Sequence, residues 1–146
     1  MRKISREVKG FTFLEIITVI IIIGIIGAVA VSRISSTDTY RMIGERDKVE
    51  SHLRYAQGRA IRTDSTWGIR FNSVSTYWLF QNVGASSFQK RFAGEDSNQV
   101  TLSKLLVNSA PSTITFDRFG SPGAVGITVT TSGGNITVAT NTGFIP

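Results

Sequence analysis

A long apolar run near the N-terminus constrains this chain more than any other feature. Residues 16–31 read IITVIIIIGIIGAVAV, in which 13 of the 16 residues are apolar and eight are isoleucine. No charged residue occurs from Ile16 to Ser32, and the run extends back to Phe11 if Glu15 is included. A membrane-spanning helix needs about 20 mainly apolar residues. Residues 11–32 are therefore long enough to cross a bilayer, which excludes a plain cytoplasmic globule.

Positive charge precedes the apolar run. The first ten residues, MRKISREVKG, contain four Lys or Arg and one Glu, a net charge of +3, half of the +6 of the whole chain. By the positive-inside rule this end lies in the cytoplasm, and the rest of the chain lies outside it. The alkaline isoelectric point is thus partly a signal of membrane topology, and it gives less reason to expect nucleic acid as a partner.

The chain offers few residues for chemistry. It has no cysteine and a single histidine, His52, which excludes thiolate sites and multi-histidine metal clusters. It also lacks a nucleophile elbow, a phosphate loop and a zinc-protease motif. Glu95, Asp96 and Asp117 do not form the regular acidic ladder of a calcium loop, although their spacing alone leaves a calcium site open. We therefore expect no enzyme activity, no cofactor and no catalytic residue.

A helix is expected to continue beyond the membrane run. Val49, Leu53, Ala56 and Ala60 step by four, three and four residues, which is the spacing of one helical face. No proline interrupts the chain before Pro111, so a helix over about Thr12–Arg62 is predicted, with residues 33–64 as its amphipathic half. Its dense mixed charges suit a solvated face, with pairing between subunits or an arginine stripe for DNA as alternatives. His52 is expected at the surface or at the edge of the apolar stripe.

Residues 65–146 are predicted to form a β-sheet domain, because β-branched residues and turn signals replace the helical period. The expected strands are residues 66–72, 75–82, 113–117, 126–131 and 135–140, with weaker candidates at 88–92 and 100–107. The predicted class is α+β: one long helix packed on one antiparallel sheet.

A cleaved secretory signal is the first alternative for the N-terminus, and Ala28 and Ala30 loosely match its cleavage pattern. The length of the run and the carboxylate of Glu15 argue against it. A carboxylate within lipid usually has a partner, and the sequence places no Lys or Arg within one helical turn after Glu15.

Lys9-Gly10-Phe11-Thr12-Phe13-Leu14-Glu15, followed by the Ile/Val run, resembles the processing site of type IV prepilins and type II secretion pseudopilins. The resemblance implies that residues 1–10 are a leader, that a prepilin peptidase/N-methyltransferase cleaves between Gly10 and Phe11, and that Phe11 becomes N-methylated. It also implies that Glu15 meets the amine of Phe11 on a neighbouring subunit, which would neutralise both charges inside a filament. Glycines at 24 and 27 are interpreted as points of helix flexibility.

The remainder resembles the H-type pseudopilin group, which includes FimT-like minor pilins. The shared pattern comprises Leu53-Arg54-Tyr55-Ala56 and Arg59-Ala60-Ile61 on the helix, a late strand ending at Phe116 with Gly120 four residues on, and a last strand pair closing at Gly143. DNA-binding members carry a basic motif after that glycine, whereas this sequence has no basic residue after Arg118. Since phosphate contacts require Lys or Arg, nucleic-acid binding there is disfavoured.

The resemblance implies a structural filament subunit, first of all an H-type minor pseudopilin of a type II secretion system. A minor or major pilin of a type IV pilus is the alternative, and a DNA-uptake pilin ranks below both. Expected partners are other pilin or pseudopilin subunits, the processing peptidase and an inner-membrane assembly platform. The expected location is the bacterial inner membrane, with a single pass and a periplasmic β-sheet domain, and then a filament.

Overall fold

The computed structural model describes residues 10–146, apart from the side chains of residues 32–36. The described chain contains one α-helix followed by eight β-strands. Helix α1 is Phe13–Thr63, and the strands are β1 Trp67–Ser73, β2 Thr76–Val83, β3 Ser86–Lys90, β4 Gln99–Thr101, β5 Val107–Ser109, β6 Thr113–Phe116, β7 Ile127–Thr131 and β8 Gly134–Val138. The chain divides into two compact units between Thr37 and Asp38. We call the second unit, Asp38–Pro146, the head.

Helix α1 ends where the backbone turns left-handed. Asp64 has a φ of 48°, a conformation that Asp tolerates better than most residues. The hydroxyl of Thr63 donates to the Arg59 carbonyl at 2.7 Å and accepts from the Trp67 indole N–H at 2.6 Å. These bonds join the last turn of the helix to the start of β1.

The head contains two antiparallel sheets. The larger has the order β3-β2-β1-β6, with β4 also paired to β2, and the smaller has the order β5-β7-β8. In the larger sheet Ile69 lies between Leu79 of β2 and Ile114 of β6, so that three apolar residues form one row. The alternation along each strand turns such rows toward the helix.

The core forms between the apolar stripe of the helix and both sheets. Val49, Leu53, Ala56 and Ala60 have no exposed surface and belong to one cluster with residues of the strands. The strand residues of that cluster include Ile69, Tyr77, Leu79, Ile114, Phe116, Val129, Ile136 and Val138. The predicted α+β fold, a helix packed on antiparallel strands, is confirmed in the head.

Three details of the prediction were wrong. The strands form two sheets instead of one, and the expected strand 100–107 is split between them: β4 pairs with β2, whereas β5 pairs with β7. Strand β3 begins at Ser86 and ends at Lys90, so Phe92 lies beyond it. His52 is buried, with only 9% of its surface exposed. Periodicity cannot reveal a change of sheet, because it reports which face is apolar and not which strand is adjacent.

Candidate assembly site

Helix α1 begins immediately after the predicted cleavage point. Gly10 and Phe11 precede the helix, and Phe11 exposes 80% of its surface. Thr12 caps the helix: its hydroxyl oxygen accepts a hydrogen bond from the Glu15 N–H at 3.2 Å. Threonine followed three residues later by glutamate is the capping-box pattern of a helix N-terminus. The sequence therefore places an exposed Gly–Phe bond directly before a defined helix start.

Glu15 lies in the first helical turn, and its side chain is exposed. Among the side chains that the structure describes, no cation forms an ion pair with it. A carboxylate in the first turn interacts favourably with the helix dipole, which gives Glu15 a local role besides any contact with a partner. The predicted leader, apart from Gly10, lies outside the described residues.

The first unit exposes a continuous apolar surface. Residues Phe13–Val31 have a mean hydropathy of 2.8, and none of this segment is buried inside the molecule. Among the described residues it is the one helical segment long and apolar enough to cross a membrane. Exposed apolar surface of this extent requires lipid or protein around it.

Gln57 joins two distant loops of the head to the helix. Its amide nitrogen donates to the carbonyl oxygens of Gly120 at 2.9 Å, Gly143 at 3.0 Å and Thr142 at 3.2 Å. Both glycines have positive φ, 78° at Gly120 and 65° at Gly143. A Cβ atom at Gly143 would lie 2.2 Å from the Gly120 oxygen, so only glycine fits there. Gly120 and Gly143, the two glycines of the C-terminal sequence pattern, thus both contact Gln57. The sequence alone did not identify Gln57.

Arg54 and Arg59, from the helical part of the quoted pattern, have structural contacts in the head. Arg54 Nη2 donates to Glu50 Oε1 at 2.5 Å and to the backbone oxygen of Pro146 at 2.8 Å. The Arg59 guanidinium lies 4.8 Å from the centre of the Trp67 ring, a cation–π distance. These arginines join the C-terminal segment and β1 to the helix.

Glu45 fixes the loop between β4 and β5. Its carboxylate accepts hydrogen bonds from the backbone N–H groups of Ser103 at 2.9 Å, Lys104 at 2.9 Å and Leu105 at 2.8 Å, and from the Ser103 hydroxyl at 2.5 Å. Burial raises the pKa of Glu45, but the hydrogen bonds from Ser103, Leu105 and Lys104 outweigh it and lower that pKa to about 2. In the sequence, only its position four residues before Val49 indicates that Glu45 lies next to the apolar stripe of the helix.

His52 lies in an aromatic cluster. Its ring stacks on Phe92 with 3.8 Å between centroids, and its Nδ1 is 2.9 Å from the Tyr77 hydroxyl. Its Nε2 lies 3.7 Å from Glu95, which forms an ion pair of 2.6 Å with Lys48. Burial lowers the pKa of His52 to about 4, against the opposing effect of Glu95, and burial raises the pKa of Tyr77. His52 is thus neutral near pH 7 and joins the helix to the loop after β3.

The acidic residues considered for calcium are engaged separately. Glu95 binds Lys48, and Asp117 Oδ1 accepts the N–H groups of Phe119 and Ser121, both at 2.9 Å. Within residues 10–146 no three His, Asp or Glu side chains are grouped so that they could hold a metal ion. Arg118, the last basic residue, lies 4.0 Å from Asp64.

No protein-family model matches the sequence. No curated protein matches it either. Among solved structures, the minor pseudopilin EpsH from the type 2 secretion system of Vibrio cholerae matches with a TM-score of 0.54 and 16% identity, over 73% of this chain and 94% of that chain. The type IV minor pilin FimU of Pseudomonas aeruginosa matches with a TM-score of 0.56 and 15% identity, over 75% of this chain and 90% of that chain. The likeness to pilin-like proteins that the sequence predicted is therefore confirmed for the fold.

Proposed function

We propose that this chain is a structural subunit of a pilus-like filament, drawn from the membrane by its N-terminal helix. The observation that carries the proposal is the combination of an exposed, membrane-length apolar helix with a head whose fold matches EpsH and FimU. The exposed apolar surface of the helix must be covered by lipid or protein, and in a filament the helices of neighbouring subunits would cover it. The subunit would act by packing, without chemistry on a substrate.

We propose further that the chain is processed between Gly10 and Phe11 and methylated on Phe11. In support, both residues are exposed and precede the helix start at Phe13. Cleavage would create a positively charged amine four residues before Glu15. The carboxylate of Glu15, which has no partner among the described residues, would then pair with the Phe11 amine of a neighbouring subunit in the low-dielectric filament interior.

An H-type minor pseudopilin of a type II secretion system is our first assignment, and a minor or major pilin of a type IV pilus is the alternative. The first rests on the likeness to EpsH and the second on the likeness to FimU. The partners would be other pilin-like subunits, a prepilin peptidase and an inner-membrane assembly platform. The head would lie in the periplasm of a bacterium with two membranes.

Mass spectrometry of the mature N-terminus tests the processing step. We expect N-methylated Phe11 as the first residue, and an intact Met1 would refute the assignment.

The pairing of Glu15 is tested with two variants of the full chain. Glu15→Ala removes the carboxylate, whereas the exchange Leu14→Glu with Glu15→Leu keeps an acid in the first turn and preserves composition. The exchange retains the helix-dipole interaction but turns the carboxylate by about 100° around the helix. If pairing drives assembly, both variants enter the membrane and neither enters the sheared filament fraction. Normal assembly of the exchange variant would show that the position of the carboxylate is immaterial and that Glu15 acts only on its own helix.

A further inference from the structure

The larger sheet carries a second aromatic cluster on the face that is turned away from the core. Ile69 and Leu79 belong to the core between the helix and the sheets. Arg70 and Trp78 are the adjacent residues on β1 and β2, are paired with each other, and therefore lie on the opposite, outer face. Phe80 shares that outer face with Trp78, and it is buried although it does not belong to the core cluster. The outer face thus contains a packed group of its own.

A glycine opposite Phe80 makes room for this group. Gly68 is paired with Phe80, and a Cβ atom at Gly68 would lie 2.8 Å from Phe80 Cζ and 2.2 Å from the Ile114 oxygen. The Phe80 ring therefore lies over the backbone of β1, where any side chain would displace it. The same ring makes an edge contact with Trp78, with 6.0 Å between the ring centroids. Glycine inside a strand weakens the strand, so the sequence keeps this aromatic pair at a cost in stability.

Arg70 lies against both rings. Its guanidinium carbon is 5.2 Å from the centre of the Trp78 ring and 5.4 Å from that of Phe80, which are cation–π distances. Its Nε donates a hydrogen bond to Thr113 Oγ1 at 3.3 Å. In the part of the chain that the structure describes, the Arg70 side chain forms no ion pair and no hydrogen bond besides that one. Arg70 thus presents an unpaired, exposed cation in a defined position.

The surroundings of Arg70 are polar but contain no acid. The five strands of the larger sheet contain two charged residues, Arg70 and Lys90, and both are basic. Lys90 is paired with Leu79 and lies on the core side of the sheet. The neighbouring side chains on the outer face carry hydroxyl or amide groups and include Gln89, Gln99, Thr101, Thr113 and Thr115. A complementary ligand therefore has one anionic group, several hydrogen-bonding groups and an apolar face for the indole.

We propose that the outer face of the larger sheet binds an acidic saccharide, with the carboxylate of a uronic-acid residue on Arg70 and its sugar ring against Trp78. A guanidinium binds a carboxylate through two parallel hydrogen bonds. Sugar hydroxyls would bond to the amide of Gln99, which is paired with Trp78, and to the Thr113 hydroxyl. The C–H face of the ring would pack on the part of the indole that stays exposed. A uronic acid carries its carboxylate directly on the ring, so one sugar residue can reach both Arg70 and Trp78.

The single cation distinguishes this ligand from other anionic partners. Nucleic acid and anionic lipid surfaces are bound through several Lys or Arg residues, and the outer face has only Arg70. Stable docking of an acidic protein segment buries about 800 Å² on each partner around an apolar centre, whereas hydroxyl and amide side chains surround the aromatic pair here. A saccharide uses a smaller and more polar surface. This inference goes beyond the proposed filament function and does not depend on it.

Titration of the full chain in detergent micelles with tetragalacturonate, followed by tryptophan fluorescence, tests the site. We expect saturable binding, and at least about tenfold weaker binding of the fully methyl-esterified tetramer, which has the same rings without the charge. Arg70→Lys keeps the charge but removes the planar pair of donors, and should weaken binding about tenfold. Gln99→Ala, at an exposed position, should weaken it about threefold. Arg118→Lys is the matched control, since Arg118 is also exposed and lies 4.8 Å from an aromatic ring, that of Phe119, but outside the sheet. Its affinity should equal that of the wild type.

Several results would overturn the site. These are the absence of saturable binding, equal binding of the methyl ester, or an equal loss in Arg118→Lys. Tetraglutamate bound as tightly as tetragalacturonate would replace the saccharide by an acidic peptide and so refute the proposed ligand. Thermal unfolding of each variant checks its fold, and Gln99→Ala keeps the test decisive if Arg70→Lys unfolds, because Gln99 lies outside the packed group. The mass of the mature N-terminus tests the filament function separately, so either proposal can fail without the other.

Discussion

Replacing Glu45 by Ala is expected to destabilise the head, because this carboxylate is the acceptor for three consecutive backbone N–H groups, those of Ser103, Lys104 and Leu105. The pKa of Glu45 falls from 4.5 to about 2 in the folded chain. At 1.36 kcal/mol per pKa unit this corresponds to about 3 kcal/mol, and to about 2 kcal/mol once solvent screening of a half-buried group is allowed for. Without this carboxylate the loop between β4 and β5 should be held less tightly against the helix.

Urea unfolding of the head, followed by tryptophan fluorescence, measures this effect. With a slope of about 2 kcal/mol per M, Glu45→Ala should lower the midpoint by about 1 M at pH 7. Glu45→Gln should also lower the midpoint, because the amide oxygen can replace only one of the two accepting carboxylate oxygens and the amide NH2 would face N–H donors at the other. Asp47→Ala is the matched control two residues along the helix. Its side chain is 61% exposed, and its loss should change stability by under about 0.5 kcal/mol.

The pH dependence provides an independent check on Glu45. Its folded pKa lies below its unfolded value, so its contribution is present above pH 4.5 and is lost as the pH falls toward 2. Glu45→Ala should therefore differ from the wild-type head at pH 7 and approach it near pH 2. An equal difference at both pH values, or an effect no larger than that of Asp47→Ala, would refute the assignment of this stability to the charged carboxylate.

His52 should make the head less stable as the pH falls from 6.5 toward 4, because the unfolded chain binds a proton there that the folded chain, with its lowered pKa, does not. The free energy of unfolding should fall by at most about 3 kcal/mol. In NMR the resonance of the single histidine should titrate near pH 4. A midpoint near pH 6.5 would contradict the burial of His52. Gly143→Ala should destabilise the head by more than about 2 kcal/mol, because it adds a clash with the Gly120 oxygen to the cost of a left-handed φ. Gly84→Ala is its control, since Gly84 also has a φ of 60° but an added Cβ meets nothing within 4 Å; equal losses in thermal unfolding would show that the clash is relieved.

The local features of this protein are determined by its sequence. The apolar run determines which segment can cross a membrane. The buried face of the helix follows from the spacing of Val49, Leu53, Ala56 and Ala60, and alternating β-branched residues determine the strands. Each depends on neighbours within a few residues, so the predicted bounds of helix α1 and of strands β1 and β2 agree with the observed bounds within one or two residues. The capping of the helix by Thr12 has the same local origin.

Only the tertiary structure decided which distant groups meet. Gln57 binds carbonyl oxygens more than 60 residues away, and Glu45 binds N–H groups nearly as far along the chain. The burial of His52 depends on Phe92, which arrives from a loop. The division into two sheets likewise follows from which strand edges come together. The backbone groups and aromatic rings in these contacts show no periodic pattern in the sequence. Which of them meet is therefore decided by the paths of the loops and not by any pattern within one segment.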